Sequence, residues 1–467
     1  MRINVPVNHN FYEEAPIYES NLGEAFNVKK TAVKHLQQLF SSVYELKLGS
    51  EQLKRIKIFN FNRRRFFEPD EERLILKLYS REKNEHEKEY FIQTGLYAGV
   101  LFYKGCKINI TTIYGRAFLM RMLNFVNDIY VDNEQVRAKR YETENQFLFI
   151  IAYLFIQSLE KAAVLGLPKQ YKKHQERSHK VRGSIDFNNY LKRDIPFQGI
   201  LTTTFRERMY VQEIVDVLHL TLRKLERIFG KEIHSRLLGL NQELKQYFSG
   251  RFASYETIQK AKVHQSINNP LYSGFKQVLE YAEIILLGKD LMPENEKQPF
   301  ATTGYLFDIA ELYELYLEKL LSRNFPDWSV NGQEEIPIYQ KQFYKRSIFP
   351  DLTLRHKSTR KIVVFDAKFK KMLLQNHDID RDDLHQIHSY SAYFSNQLVA
   401  SGLLYPLSKK IEIKKAYSES IFGNNENEIN FLVDGIYVSE NQPMKDLIKE
   451  EIEFVSRVAS VINKNKQ

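Results

Sequence analysis

Apolar residues recur along this chain with two periods, and the switch between periods marks its elements. In residues 32–46, Val33, Leu36, Leu39, Phe40, Val43 and Leu46 fall at helical spacing and predict an amphipathic helix. Short apolar runs at 56–61 and 74–78 read as strands. From 91 to 113, Gly95, Gly99 and Gly105 punctuate apolar runs, and Lys107-Ile108-Asn109-Ile110-Thr111 alternates cleanly, which predicts a β-meander. Residues 115–126 and 144–164 read as helices. The segment 168–182 is polar, basic and without glycine, and reads as an exposed connection. A strong helix is predicted over 210–229, where Val211, Ile214, Val215, Leu218, Leu222 and Leu225 form one stripe.

The polar stretch from Met292 to Pro299, with prolines at both 293 and 299, suggests a boundary. The chain then divides into a mixed region at 1–90, a β-meander and helical region at 91–290, and a C-terminal α/β region at 300–467. The expected class is a multidomain α+β or α/β protein. After the boundary, Leu306, Ile309, Tyr313, Tyr316, Leu317 and Leu320 predict a helix over 306–321 that carries Glu311, Glu314 and Glu318.

Residues 349–368 carry the chemistry. Two short strands are predicted there, joined by a polar, basic turn. Asp351 opens the first, and the continuous run Ile362-Val363-Val364-Phe365 ends abruptly in Asp366-Ala367-Lys368. A run of that kind marks a strand buried on both faces. Alternation puts Asp366 and Lys368 on one face and Ala367 on the other, and a hairpin brings Asp351 beside them. Two carboxylates and an ammonium at one sheet edge can hold Mg²⁺ and position an attacking water. A charged strand end emerging into solvent would explain Asp366 and Lys368 equally well. Pro350 tips the balance, because proline suits the first position of a strand and fixes where the next side chain points. Pro69-Asp70 is a decoy: no apolar strand ending in an acid and a lysine follows it.

Composition adds a partner and a compartment. The 467 residues carry a net charge of +10, which favours an anionic partner. Arg63-Arg64-Arg65 and the series Lys169, Lys172, Lys173, Arg177, Lys180 and Arg182 concentrate that excess; each alone reads as solvated surface. One cysteine, Cys106, excludes an intramolecular disulfide framework and a cysteine-based zinc cluster; it reads as a half-buried, reduced strand residue. The longest apolar stretch, 147–156, is too short to span a bilayer and reads as a buried helix. With no basic-then-apolar leader, the cytoplasm is expected. His377, His385 and His388 are irregularly spaced and read as helix-surface or phosphate-facing residues, not a metal cluster. No Gly-x-x-x-x-Gly-Lys-Ser/Thr motif occurs, so any NTP dependence must come from another chain.

Pro350-Asp351 with Asp366-Ala367-Lys368 resembles the PD-(D/E)xK nuclease superfamily. That resemblance implies a restriction-endonuclease-like C-terminal domain in which Asp351, Asp366 and Lys368 are catalytic. It implies that Glu314, in Leu312-Tyr313-Glu314, adds to a site for Mg²⁺ or Mn²⁺ formed by Asp351, Asp366 and the Ala367 carbonyl. It also implies that Gln386 and Tyr390, four residues apart on one helix face within 383–390, brace Lys368 or touch DNA.

The order of segments resembles the McrC family, the nuclease subunits of McrBC-type modification-dependent restriction systems. The carrying pieces are Thr94-Gly95-Leu96-Tyr97-Ala98-Gly99-Val100, Lys107-Ile108-Asn109-Ile110, Leu119-Met120-Arg121-Met122-Leu123 and Val181-Arg182-Gly183-Ser184-Ile185-Asp186, followed by the nuclease motif. The resemblance implies DNA as substrate and a hexameric McrB-like AAA+ GTPase as partner, docked through the region before residue 290. A double-strand cut would need two sites, through dimerisation or two complexes meeting on DNA. The rival readings are a stand-alone nuclease of the same superfamily and a non-enzymatic DNA-binding scaffold.

Overall fold

The computed structural model describes residues 1–10, 15–59, 61, 71–84, 87–126, 146–230, 237–287, 302–340, 343–370, 379–410, 418–421 and 429–462. Pro69-Asp70, Arg63-Arg64-Arg65, His377 and the proposed boundary at 292–299 lie outside them. The described residues form five sheets and twelve α-helices, a mixed α and β architecture. Two compact units result, one from Met1–Glu134 with Met292–Gln467 and one from Gln135–Leu291.

This grouping cuts across a division at 90 and 300, and strand Thr303–Asp308 shows why. It lies in a five-stranded sheet ordered Arg2–Pro6, Cys106–Thr111, Tyr97–Tyr103, Thr303–Asp308, Ile56–Phe59. Gly99 faces Leu306 and Gly304 faces Leu101 across the antiparallel pair. Both glycines have positive φ, and a Cβ on either would sit 2.1 Å from a carbonyl oxygen of the opposite strand. Only glycine allows that approach. The helix expected from Leu306 therefore begins later, at Ile309, and runs to Asn324. Asp308 caps it by accepting from the Ala310 and Glu311 amides, so Leu306 is a buried strand residue.

Other expectations shift for similar reasons. The meander over 91–113 is three strands divided between two sheets. Glu87–Thr94 joins a four-stranded sheet with Ile17–Tyr18, Leu74–Asn84 and Tyr44–Lys47, while the next two strands join the five-stranded one. The helix expected over 32–46 is short, Val33–Leu39. Tyr44 and Leu46 alternate inward in a strand paired with Leu74–Asn84, and Val43 is 70% exposed. Cys106 is fully buried rather than half-buried, and burial pushes its thiol up to about 11.

In the same unit, a six-stranded sheet runs Trp328–Gly332, Leu352–His356, Ile362–Ala367, Leu398–Leu407, Asn430–Tyr437, Ser418–Ser420. Leu352–His356 is antiparallel to Ile362–Ala367, which is parallel to Leu398–Leu407. The helix Arg381–Tyr393 makes the crossover between those parallel strands. Every residue of both parallel strands is buried, as a sheet covered on both faces requires. On one face Ile362, Val364, Leu403 and Tyr405 pack with Ile387 and Tyr390 of that helix.

The second unit pairs Lys169–Ser178 with Leu201–Tyr210 in a ten-residue antiparallel ladder, beside the helices Gln146–Ala162, Gln212–Phe229, Leu238–Tyr247, Tyr255–Lys262 and Phe275–Leu287. The segment 168–182, which patterning reads as an exposed connection, contains the strand Lys169–Ser178. That strand has no buried face, so it carries no period-two apolar signal. The apolar 147–156 stretch is helical, with Ile151 to Ile156 buried. No helix among the described residues is long and apolar enough to cross a membrane.

Candidate active site

Register builds the site. Leu352 pairs with Phe365 in the antiparallel hairpin, so one step further sets Asp351 opposite Asp366. The Ala367 amide donates to Asp351 Oδ2 at 2.9 Å, tying the two strand ends together. Beyond the last paired residue, the Lys368 amide still donates to the Leu404 carbonyl at 2.9 Å, which fixes where its side chain leaves the sheet. The next residue, Phe369, is buried against the edges of Tyr114 and Tyr313, an anchor immediately behind the lysine.

The Lys368 ammonium lies 2.6 Å from Asp366 Oδ2. It donates to Gln386 Oε1 at 2.9 Å, the Gln386 amide donates to the Tyr390 hydroxyl at 2.8 Å, and that hydroxyl donates to the Phe349 carbonyl at 3.2 Å. An ammonium has only donors, so the amide oxygen must face it and the amide nitrogen must face Tyr390. The chain closes on itself, because Phe349 lies two residues before Asp351. Gln386 and Tyr390 share a face of Arg381–Tyr393, one turn apart.

Glu314 reaches the site through a residue that sequence patterning did not single out. Gln333 donates its side-chain amide to Glu314 at 2.9 Å and its backbone amide to the Asp351 carbonyl at 3.1 Å. It adopts φ +46°, a conformation that costs a non-glycine residue about 1 kcal/mol or more. Glu311 is buried in the first turn of that helix, and Glu318 is half-buried one turn beyond Glu314. A second group that patterning missed lies behind Lys368. Asp383 is 3.8 Å from Lys368 and 2.7 Å from Lys370, and it accepts from the Tyr405 hydroxyl at 3.1 Å. Their only sequence signal is an acid in the first turn of the crossover helix. His385 and His388 lie on that helix, with His388 edge-on to Phe431.

Crowding buried carboxylates shifts their titration. Burial pushes Asp351 up to about 6, aided by the charge of Glu314 and opposed by Lys368. Burial, then the charge of Asp351, pushes Asp366 well above the carboxylate range. Burial pulls Lys368 down, but Asp366 and Asp351 outweigh it and raise the ammonium. Burial also lifts the Tyr390 phenol to about 12. Asp366 is fully buried; its Oδ2 meets the Lys368 ammonium, and its Oδ1 has no hydrogen-bond partner among the described residues. No three His, Cys, Asp or Glu side chains among the described residues converge into a closed metal cage. A pair of facing acids, with Asp366 Oδ1 left without a donor, instead suits an ion that keeps most of its water, as Mg²⁺ does.

No curated protein matches the chain. Among solved structures, a chain from the refined half-complex of a tetradecameric assembly of Thermococcus gammatolerans McrB AAA+ hexamers with bound McrC is similar. It is 16% identical with a TM-score of 0.50, over 99% of this chain and 100% of that one. A chain of the cryo-EM structure of the Thermococcus gammatolerans McrBC complex is 15% identical with a TM-score of 0.31, over 70% of this chain and 88% of that one. At 16% identity the first of these likenesses concerns the fold alone. The sequence profile of one family, described as the McrBC 5-methylcytosine restriction system component, matches residues 73–406, well over half the chain and including the whole Asp351, Asp366, Lys368, Gln386 and Tyr390 constellation. The chain therefore belongs to the McrBC 5-methylcytosine restriction system component family.

Proposed function

We propose that the chain is the DNA-cleaving subunit of a McrBC-type restriction system, built on a PD-(D/E)xK nuclease site. The observation that carries this reading is the fully buried Asp366, opposite half-buried Asp351, beside a lysine held by the Gln386–Tyr390 relay. A strand end meant only for solvent would neither bury an acid completely nor aim its lysine through three successive hydrogen bonds.

Asp351, Asp366 and the Ala367 carbonyl, with Glu314, would hold Mg²⁺ or Mn²⁺. Such an ion polarises a phosphoryl oxygen and acidifies water when bound. The chain's own residues supply the rest. Gln386 and Asp366 fix the Lys368 ammonium from two sides, leaving its third proton for the attacking water or for charge developing on the phosphate. Tyr390 fixes Gln386, so the relay selects one rotamer of the lysine. Gln333 couples Glu314 to the Asp351 backbone, so Glu314 moves with Asp351. The basic balance of +10 favours DNA as the anionic partner.

The motor in this reading is a hexameric McrB-like AAA+ GTPase. Its support is family membership, the bound McrC named in the similar assembly, and the missing phosphate-binding motif in this chain. A double-strand cut then requires two copies of the site. The test is plasmid cleavage with Mg²⁺, with and without the AAA+ partner and GTP, using the unaltered chain and Gln386→Leu. Cleavage that needs partner and nucleotide, and falls about 10- to 100-fold in Gln386→Leu, is the expected result. Equal cleavage by the lone chain would keep the nuclease and remove the motor. Full cleavage by Gln386→Leu would remove the relay from the mechanism.

A further inference from the structure

A two-stranded hairpin, Ile336–Gln340 with Lys345–Ile348, stands apart from the six-stranded sheet and feeds directly into the site. Its base is anchored. Ile336 faces Ile348, and both pack on the cluster that contains Ile362, Val364, Ile387 and Tyr390. Phe349, the residue after Ile348, accepts the last hydrogen bond of the lysine relay.

The far end of the hairpin is the reverse of a core. Phe343 is 96% exposed, and Tyr339 and Tyr344 are each 50% exposed. The rings touch only edge to face, Tyr339 on Tyr344 at 5.3 Å and Phe343 on Tyr344 at 6.2 Å. Three large rings left in water within six residues forgo burial that folding normally takes up. Arg346 is exposed beside them, facing Tyr339 across the ladder. From Ile336 to Pro350 the sequence has no acidic residue, while Lys345 adds to the positive charge. Aromatic faces interleaved with cations suit nucleobases and phosphates together.

Reach supports the same occupant. Arg346 precedes Asp351 by five residues, about 17 Å of extended strand, and Phe343 lies within roughly 27 Å of chain. DNA rises about 3.4 Å per nucleotide, so the Phe343 and Tyr344 rings lie within about eight nucleotides of the bond to be cut.

Resting on the nuclease reading, we infer that the Ile336–Ile348 hairpin is a DNA-gripping finger. Phe343, Tyr344 and Tyr339 stack on unpaired or unstacked bases a few nucleotides from the scissile phosphate, and Arg346 holds the adjoining backbone. The bases must be unstacked because a ring finds a free π-face only where the duplex is opened or kinked. Through Ile348 and Phe349 the finger's placement is tied to Asp351 and the lysine relay, which makes it a positioning element.

The test uses the full-length chain carrying Asp366→Asn, with a fluorescein-labelled oligothymidine and an intact duplex as probes. Phe343→Ala and Tyr344→Ala should each weaken oligothymidine binding about tenfold and duplex binding less. Phe343→Trp and Tyr344→Phe should restore it, and Arg346→Ala should weaken both probes and flatten the salt dependence. Photocrosslinking of 5-iodouracil DNA to the chain with an unaltered hairpin should map to Phe343 or Tyr344, a readout independent of how the variants fold. Unchanged affinity in the Phe343→Ala/Tyr344→Ala chain, crosslinks only elsewhere, or no binding of either probe would overturn the finger. So would loss of self-association in sedimentation with DNA affinity intact, which would make the rings a contact between copies. Residual cleavage by Asp366→Asn would instead overturn the nuclease reading, leaving the binding comparisons to stand separately.

Discussion

Replacing Asp366 by asparagine is expected to end DNA cleavage and, at the same time, to make the metal-free protein more stable. The two effects share one cause. Asp366 is fully buried and lies against Asp351; the Lys368 ammonium meets Oδ2 at 2.6 Å, while Oδ1 has no hydrogen-bond partner among the described residues. Burial beside a second acid works against folding even with that ammonium in place, and a buried oxygen without a donor costs about 1–3 kcal/mol. Asparagine keeps the shape and removes the charge. Cleavage should fall by about a thousandfold or more, as expected when a group that organises transition-state charge is lost. The metal-free unfolding free energy should rise by about 1–2 kcal/mol near pH 7.5.

The pH dependence of that gain follows from its sign. Both acids have folded-state values raised above their unfolded ones, Asp351 to about 6. Their contribution to stability is fully present below the unfolded range, near pH 4, and is lost as pH rises through about 6 and beyond. In chelator, the unaltered protein should therefore lose stability between about pH 4 and 7, and Asp366→Asn should lose less. The variant's advantage should vanish near pH 4. Thermal melts across that window with and without Mg²⁺ decide it, since the ion should stabilise only the unaltered chain. Equal melting of the two proteins at pH 7.5 in chelator would show that Asp366 is not strained, and retained cleavage would end the assignment altogether.

The parts of this site that could be read from sequence are those whose signal lies within one element. Ile362 to Phe365 announce a doubly buried strand, and an acid and a lysine at its end share a face by alternation. Gln386 and Tyr390 share a face because helices repeat every four residues or so. Gln333 had no such signal, since its role comes from a positive-φ turn that brings two distant elements together. Lys370 and Asp383 escaped for the same reason: the ion pair joins a strand exit to a crossover helix. Leu306 was misplaced because its strand and the helix after Asp308 are both apolar on one side, so the periodicity runs through the boundary. Lys169–Ser178 was missed because an uncovered strand buries nothing. Local patterning finds faces; it does not find which faces meet.

The second large effect concerns the support of the site. Arg121, on the helix Gly115–Val126, forks onto Glu451 of the helix Met444–Ile462 at 2.8 and 2.7 Å. The Tyr316 hydroxyl donates to the same carboxylate at 2.6 Å, and the Phe125 ring lies under the guanidinium. Arg121 and Glu451 are both buried, so the three helices meet at one paired charge. Arg121→Ala leaves Glu451 buried with a single neutral donor, and should cost about 3–5 kcal/mol. Arg121→Lys should recover only part, because an ammonium cannot make the bidentate fork. Arg121→Met with Glu451→Met should recover most of it, short of about 1 kcal/mol for the stranded Tyr316 hydroxyl. The single tryptophan, Trp328, is buried in the same unit and reports its unfolding in urea. Tyr316 lies two residues from Glu314 on one helix, so Arg121→Ala should also weaken cleavage below its melting range by loosening Glu314 against Gln333. A loss under 1 kcal/mol for Arg121→Ala would mean that apolar packing alone sets that helix, and that the charge cluster holds nothing in place.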